Sequence, residues 1–363
     1  MRVHWSWLED SLVVRGFGAF VGSFPLLLLL LGCVLWLPAC SRQEHETLTV
    51  LAGSELEDLS SMFDQIQANT GVTLEMQYTG TLDGAERVMA GEAFDLAWFS
   101  HGKYFSLLQG ANKHILAQEK IMLSPVVLGV KESKAEAWGW SNNANLTWSD
   151  IAAKAGRGEL RYAMTNPPSS NSGFTALVGV AAALSGATGD FDVSAINKPQ
   201  LQAFFKGQKL TAGSSGWLAE RYVQEQDRLD GIINYESVLL QPNDGGKLGE
   251  KLRLIYPREG IITADYPLML LKESKRAAFD RLVTYLRSPE FQHMIVDHTQ
   301  RRSVLPQIAP PSQLPKQLLV ERFCQISRQL GIAVMEDKMQ RCRGGGRWTA
   351  HTATHRTPRN VLT

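Results

Sequence analysis

Two extended runs, IMLSPVVLGVK at residues 121–131 and GIITADYPLMLLK at residues 260–272, constrain this chain more than any other feature. Both are rich in strand-forming residues, and the first has no helix of its own. Between them lies a complete strand–helix series, and another precedes the first run. A chain that builds one α/β unit, leaves it, builds a second and returns is expected to form two lobes with a cleft between them. The expected halves are lobe I, 40–125 with 265–307, and lobe II, 126–264.

The units can be read from periodicity. LTVLAG at 48–53 is a short apolar strand. The helix after it carries Leu56, Leu59, Met62, Phe63 and Ile66 on one face and closes at Gly71. VTLEMQYTG is a second strand, LDGAERVMAG a short helix, and AFDLAWFS a third strand ending at Ser100. In the other half, Thr147, Ser149 and Asp150 are caps for IAAKAG. LRYAMT, a helix at 174–184, a linker near 186–192, LQAFFKG, a GSSG turn at 213–216, WLAERYVQEQ and GIINYES follow. The returning run leads into one amphipathic helix, KRAAFDRLVTYLRSPEFQHMIVD. Strands separated by helices predict mainly parallel sheets flanked by helices, with their loops at one edge. Open α/β sheets take ligands at that edge. No repeat of solenoid period appears.

The first 39 residues are expected to be a signal peptide: Arg2 and Arg15 precede an uncharged run, FPLLLLLLGCVLWL, that is short for a membrane span. Leu37-Pro38-Ala39-Cys40 then places cysteine after a small residue. Of the four cysteines, Cys33 falls in the signal and Cys324 and Cys342 in the C-terminal tail, so none is left for a disulfide or thiolate site in the lobes. About 320 residues remain after cleavage, enough for two cores. Net charge is +1 with no basic stripe outside the tail, which argues against a nucleic-acid partner. From Pro306 onward a linker, a helical stretch at 318–334 and a basic end predict a tail at 308–363 that is mostly disordered.

Each βα junction offers polar groups at the loop edge: Gly53-Ser54-Glu55, Thr79-Gly80-Thr81, Trp98 to His101, Ser169 to Gly173, 213–216 and Tyr235-Glu236-Ser237. Helix starts carry unpaired N–H groups that hydroxyls and amides can supplement. In SSNSG one residue can cap while others face a ligand, and Gly173 can let that ligand approach the backbone. The plain alternative is that these serines only cap and turn; matching junctions in both lobes favour a site. Trp98 and Tyr235 are the aromatic residues expected in the cleft, although large rings also simply pack. Catalysis is not expected. GSSG and SSNSG both miss the G-x-S-x-G elbow, and His101 has no orienting acid near it in sequence. No C-x-x-C, clustered Asp pattern or phosphate loop ending in Gly-Lys-Ser/Thr is present, so no metal or cofactor is expected.

In order along the chain, the cysteine box, LTVLAGSELEDL, FDLAWFS, SPVVLGVK, TNPPSSNSGFTALV, INYESVLL, LRLIYPREGIITADYPLMLL and LRSPEFQ resemble the type-2 periplasmic solute-binding proteins of ABC transport. More narrowly, they resemble the solute-binding region that precedes a von Willebrand factor A domain in some bacterial lipoproteins. The likeness covers roughly residues 40–307, and its most specific pieces are SNSG and YP-x-E-G…ADYP. It implies a two-lobed receptor, periplasmic-binding-protein-like of type II, whose two long runs are hinge strands. It also implies lipidation at Cys40, with Ser41 after it resembling an outer-membrane signal if the cell is Gram-negative. Carried over by position, Ser54, Thr81, Ser100, Ser170, Asn171, Ser172 and Tyr235 would face the cleft; Thr79, Trp98 and Gly173 are ligand-binding candidates from their place at the junctions. Molybdate, sulfate and phosphate binders of this fold hold an oxyanion with neutral donors. Glu55 and Glu236 point the other way, because a carboxylate in the cleft disfavours an anion and suits an amine or cation. The partners implied are a small solute, an ABC permease and the membrane. The alternative is an envelope protein-interaction module that keeps the fold without transport. The metal motif D-x-S-x-S of a von Willebrand A domain does not occur after Pro306, so that domain's adhesion is not expected of this chain.

Overall fold

The computed structural model describes residues 45–311, apart from 106, 107, 109 and 187–192. The signal, Cys40, most of the 186–192 linker and the tail beyond 311 lie outside the described residues. In chain order the strands are β1 (Glu46–Gly53), β2 (Val72–Thr79), β3 (Leu96–Trp98), β4 (Ala117–Lys120), β5 (Met122–Lys131) and β6 (Tyr162–Ala163). They continue with β7 (Gln208–Leu210), β8 (Gly231–Tyr235), β9 (Leu252–Ile255), β10 (Thr263–Ala264), β11 (Pro267–Leu270) and β12 (Arg302–Ser303).

The first sheet has the order β2-β1-β3-β11-β4. Its three N-terminal strands are parallel, β11 adds antiparallel to β3, and β4 adds antiparallel to β11. The edge strand β4 (AQEK) alternates between half-buried and exposed residues and has no apolar face, so the hydrophobic pattern did not reveal it. The second sheet runs β5-β8-β6-β7, with β9 also on β5. Here β8, β6 and β7 are parallel, while β5 is antiparallel to both β8 and β9. This is the mixed α/β, two-lobed architecture expected, each sheet having a parallel heart and antiparallel strands where the chain crosses.

Crossing is the task of β5. Met122 and Leu123 pair with β12, Ser124 and Pro125 with β10, and the residues from Val126 onward with β8 and β9. The returning run is two short strands in different sheets. Between β10 and β11 the chain turns a corner at Tyr266, which sits at φ 38°, a left-handed conformation costly for a residue with a large side chain. The corner is held on three sides. The N–H groups of Asp265 and Tyr266 donate to the Ser100 carbonyl (3.0 and 3.1 Å), and Trp98 Nε1 donates to the Tyr266 carbonyl (3.1 Å).

Two helices differ from expectation. Ser54–Met62 is a 3₁₀ helix that becomes α-helical over Phe63–Thr70. Leu56, Leu59 and Met62 recur every third residue, which suits three residues per turn and puts all three in the core. Near the C-terminus, one expected helix is two, Arg276–Leu286 and Pro289–Thr299. Pro289 cannot continue the first, and Ser288 caps the second by accepting the Phe291 N–H (3.2 Å). Thr147 and Asp150 form the capping box of Trp148–Gly156. No helix among the described residues is long and apolar enough to cross a membrane.

Candidate functional site

The loop edges of the two sheets meet in a seam of buried hydroxyls. Ser54, Thr81 and Ser100 come to it from β1, β2 and β3, each at the start of a helix or just past its strand. From the second sheet come Ser170, Asn171 and Ser172 at the head of the Asn171–Leu184 helix, Ser214 and Ser215 at the head of Ser215–Glu225, and Tyr235 at the end of β8. All are at most 2% exposed.

Three links through side-chain hydroxyls cross the seam. The Tyr235 hydroxyl donates to Ser100 Oγ (2.6 Å), Ser54 Oγ meets Ser214 Oγ, and the Gly216 N–H donates to Ser54 Oγ (2.8 Å). Ser100 Oγ also meets Thr81 Oγ1 (2.9 Å), and Tyr235 Oη accepts from Asn171 Nδ2 (3.1 Å). Within the second half, Ser172 Oγ lies 2.8 Å from both Thr165 Oγ1 and Ser215 Oγ, and Ser170 Oγ is 3.3 Å from Ser215 Oγ. Main chain also comes close: the N–H groups of Leu82 and Asp83 donate to the Ser169 carbonyl (3.1 and 3.3 Å). Gly80 and Gly216 make this approach possible. A side chain at Gly80 would strike the carbonyls of Ser169 and Gly213, and one at Gly216 would lie 2.7 Å from the Ser54 carbonyl.

Seven of the expected residues therefore converge: Ser54, Thr81, Ser100, Ser170, Asn171, Ser172 and Tyr235. Thr165, Ser214 and Ser215 complete the set and were not singled out. The GSSG turn was the available signal for the two serines, while Thr165 had none beyond its place at the end of a strand.

Four residues are employed elsewhere. Trp98 is fully buried in the apolar core. Thr79 is half-buried, with its methyl group against Gly84. The space at Gly173 is filled by Thr165, whose carbonyl blocks any side chain there and whose Oγ1 accepts the Gly173 N–H (2.7 Å); this glycine serves helix–strand packing. Glu236, fully buried, is held by Arg302 through two hydrogen bonds (2.8 and 2.9 Å) and by the Tyr256 hydroxyl (2.5 Å).

Glu55 is different. It is 6% exposed, and its carboxylate folds back over Gly53, where a side chain would lie 2.6 Å from Oε1. Burial pushes its pKa up to about 7, against the lowering effects of its own backbone N–H and Arg301; Asp58 adds to the rise and Ser100 opposes it. Desolvation likewise raises the Tyr235 phenol, with the nearby Glu55 carboxylate adding to it, so the phenol stays a neutral donor. His101 does have an acid, Asp265, 164 residues away in sequence and 3.0 Å away in space. Burial alone would raise the Asp265 carboxyl, but His101 and then Lys120 hold it below its ordinary value. Among the described residues, no three or more His, Cys, Asp or Glu side chains are grouped to hold a metal ion.

Two sheets, with β5 running on from the edge strand β4 of the first into the second, and with hydroxyls and main-chain amides gathered where their loop edges meet, define a type II periplasmic-binding-protein fold. The chain belongs to the bacterial extracellular solute-binding proteins, whose family model matches residues 48–298. Solved structures share the fold. The sulfate-binding protein SubI from Mycobacterium tuberculosis H37Rv has a TM-score of 0.60 at 18% identity, over 81% of this chain and 99% of that one. AfuA from Actinobacillus pleuropneumoniae, with fructose-6-phosphate bound, gives 0.60 at 13%, over 83% and 99%. A periplasmic thiamin-binding protein gives 0.62 at 15%, over 80% and 94%. At such identities the likeness is one of fold. No curated protein sequence matches the chain.

Proposed function

We propose that this chain is a receptor anchored by lipid at Cys40, which closes lobe I (40–125 and 265–307) and lobe II (126–264) on a small polar solute and delivers it to an ABC permease. The envelope is its place, and Ser41 favours the outer membrane in a Gram-negative cell. The narrower likeness to regions preceding a von Willebrand A domain has SNSG and YP-x-E-G…ADYP as its most specific pieces. One observation carries the receptor reading: hydroxyls from both halves meet across the seam through side chains, at Tyr235–Ser100 and Ser54–Ser214. A hydroxyl donates one hydrogen bond and accepts two, so each contact can be exchanged for one to a solute without stranding a partner.

Native mass spectrometry of the purified protein tests this by seeking a co-purifying small molecule. Thermal shift against oxyanions, amino acids, polyamines and sugars supplies the second readout. Tyr235→Phe keeps the ring and removes the bridging hydroxyl, and is expected to weaken any such ligand by about tenfold or more; unchanged affinity would take Tyr235 out of the site. A second reading, an interaction module with a permanently shut cleft, is favoured by how fully the hydroxyls satisfy one another. A folded protein that no solute stabilises would support it.

A further inference from the structure

Where the neutral seam ends, the surface between the two halves becomes acidic. A cavity of about 490 Å³ opens between Ser54–Met62 and the helices Ser215–Glu225 and Glu236–Asp244, a size suited to a small organic solute. Ser54 and Glu55 belong both to its lining and to the seam. Glu57, Asp58 and Glu220 line it as well, with Lys247 the one basic residue, and Val223, Val238 and Pro242 give it an aliphatic wall.

Glu55 Oε1 makes no hydrogen bond. A carboxylate oxygen buried without a donor is costly, and a charged donor is what satisfies it best. The neighbouring Arg301 spends two of its nitrogens elsewhere, Nη1 donating to Asp58 Oδ2 (2.6 Å) and Nη2 to the main-chain carbonyl of Glu55 (2.7 Å), while its Nε has no partner and its charge lies beside the Glu55 carboxyl. Asp58 keeps its own Oδ1 unpartnered on the same cavity. The acids are spread along the wall and do not converge in the manner of metal ligands, so the cation that suits them is organic.

Resting on the receptor reading of this site, we propose that its solute carries a protonated amine on a short aliphatic body, with the Glu55 carboxylate as counter-ion and the seam hydroxyls as hydrogen-bond partners. Arg301 and Asp58 flank the carboxyl, the phenols of Tyr235 and Tyr266 face it, and Glu57, Glu220 and Lys247 look on from the cavity wall. Because Glu55 titrates at about 7, an amine gains its counter-ion as pH rises through neutrality, whereas an oxyanion loses a neutral host.

The test is isothermal titration of the purified protein with 1,4-diaminobutane, 1,5-diaminopentane, sulfate and inorganic phosphate, at about pH 6 and about pH 8, on the natural sequence and Glu55→Gln. A diamine is expected to bind about tenfold tighter at the higher pH, and Glu55→Gln to lose about thirtyfold or more together with the pH dependence. The pH profile of the unaltered protein stands alone if the variant does not fold. Sulfate or phosphate binding without any amine binding overturns the amine and leaves the receptor intact. Amine binding that ignores both pH and Glu55→Gln overturns the counter-ion. Binding of no probe, with no co-purifying molecule in native mass spectrometry, overturns both.

Discussion

At the seam, Ser54, Ser100, Ser214 and Tyr235 meet as neutral hydroxyls. At β12 and the residue before it, Arg302 and Arg301 form ion pairs with Glu236 and Asp58. Both regions are buried and both tie the halves of the molecule together, the charged one through Arg302 and Glu236, yet they respond oppositely to being opened. A hydroxyl pair released to water or solute costs about 1 kcal/mol, since each group is re-satisfied at once. A buried ion pair deprived of one member leaves an uncompensated charge at about 3–5 kcal/mol. The neutral contacts are thus built to be exchanged and the charged ones to persist.

The largest expected effect comes from breaking the charged side. Arg302→Ala should cost about 3–5 kcal/mol in chemical denaturation, and the double variant Arg302→Met with Glu236→Leu should recover most of that. If the single variant is nearly neutral, the two regions do not differ as described. Glu55 comes next, as the one carboxyl that belongs to the neutral side. Its pKa is about 7 when folded against an ordinary 4.5, so the folded chain holds the extra proton. The stability it contributes is full below about pH 4.5 and lost by about pH 7, a change of roughly 3 kcal/mol. Glu55→Gln should flatten that slope in melts run across this window. Ser100→Ala, which removes one seam hydroxyl and the acceptor of the buried Tyr235 O–H, should cost about 1–3 kcal/mol. The smallest effect is at Asp265, whose lowered pKa gives stability present above 3.8 and lost as pH falls further. Asp265→Asn should make the acid limb shallower.

The neutral region was largely legible in the sequence and the charged one was not, for a physical reason. Helix starts announce themselves locally: Ser54, Thr81, Ser170 and Asn171 each sit where a strand gives way to a helix, and periodicity locates that point. The two crossing runs were legible in the same way, and only the corner at Tyr266 was hidden inside one of them. Ion pairs carry no such local sign. Arg301 finds Asp58 across 243 positions and Arg302 finds Glu236 across 66. Glu236 therefore read as a cleft residue when its charge was already spent. Gly173 read as room for a ligand, because nothing in SSNSG says that Thr165 returns to fill the gap.

One strand, β5, follows directly on the edge strand of the first sheet and meets β12, β10, β8 and β9 in turn along its length. Neither half is therefore a detachable module. A fragment ending before residue 122, or a graft that replaced residues 126–264 with those of a relative, would leave raw strand edges of the kind that recruit other chains into aggregates. Any exchange of specificity between relatives has to carry the crossing strand, and what it pairs with, as a single piece.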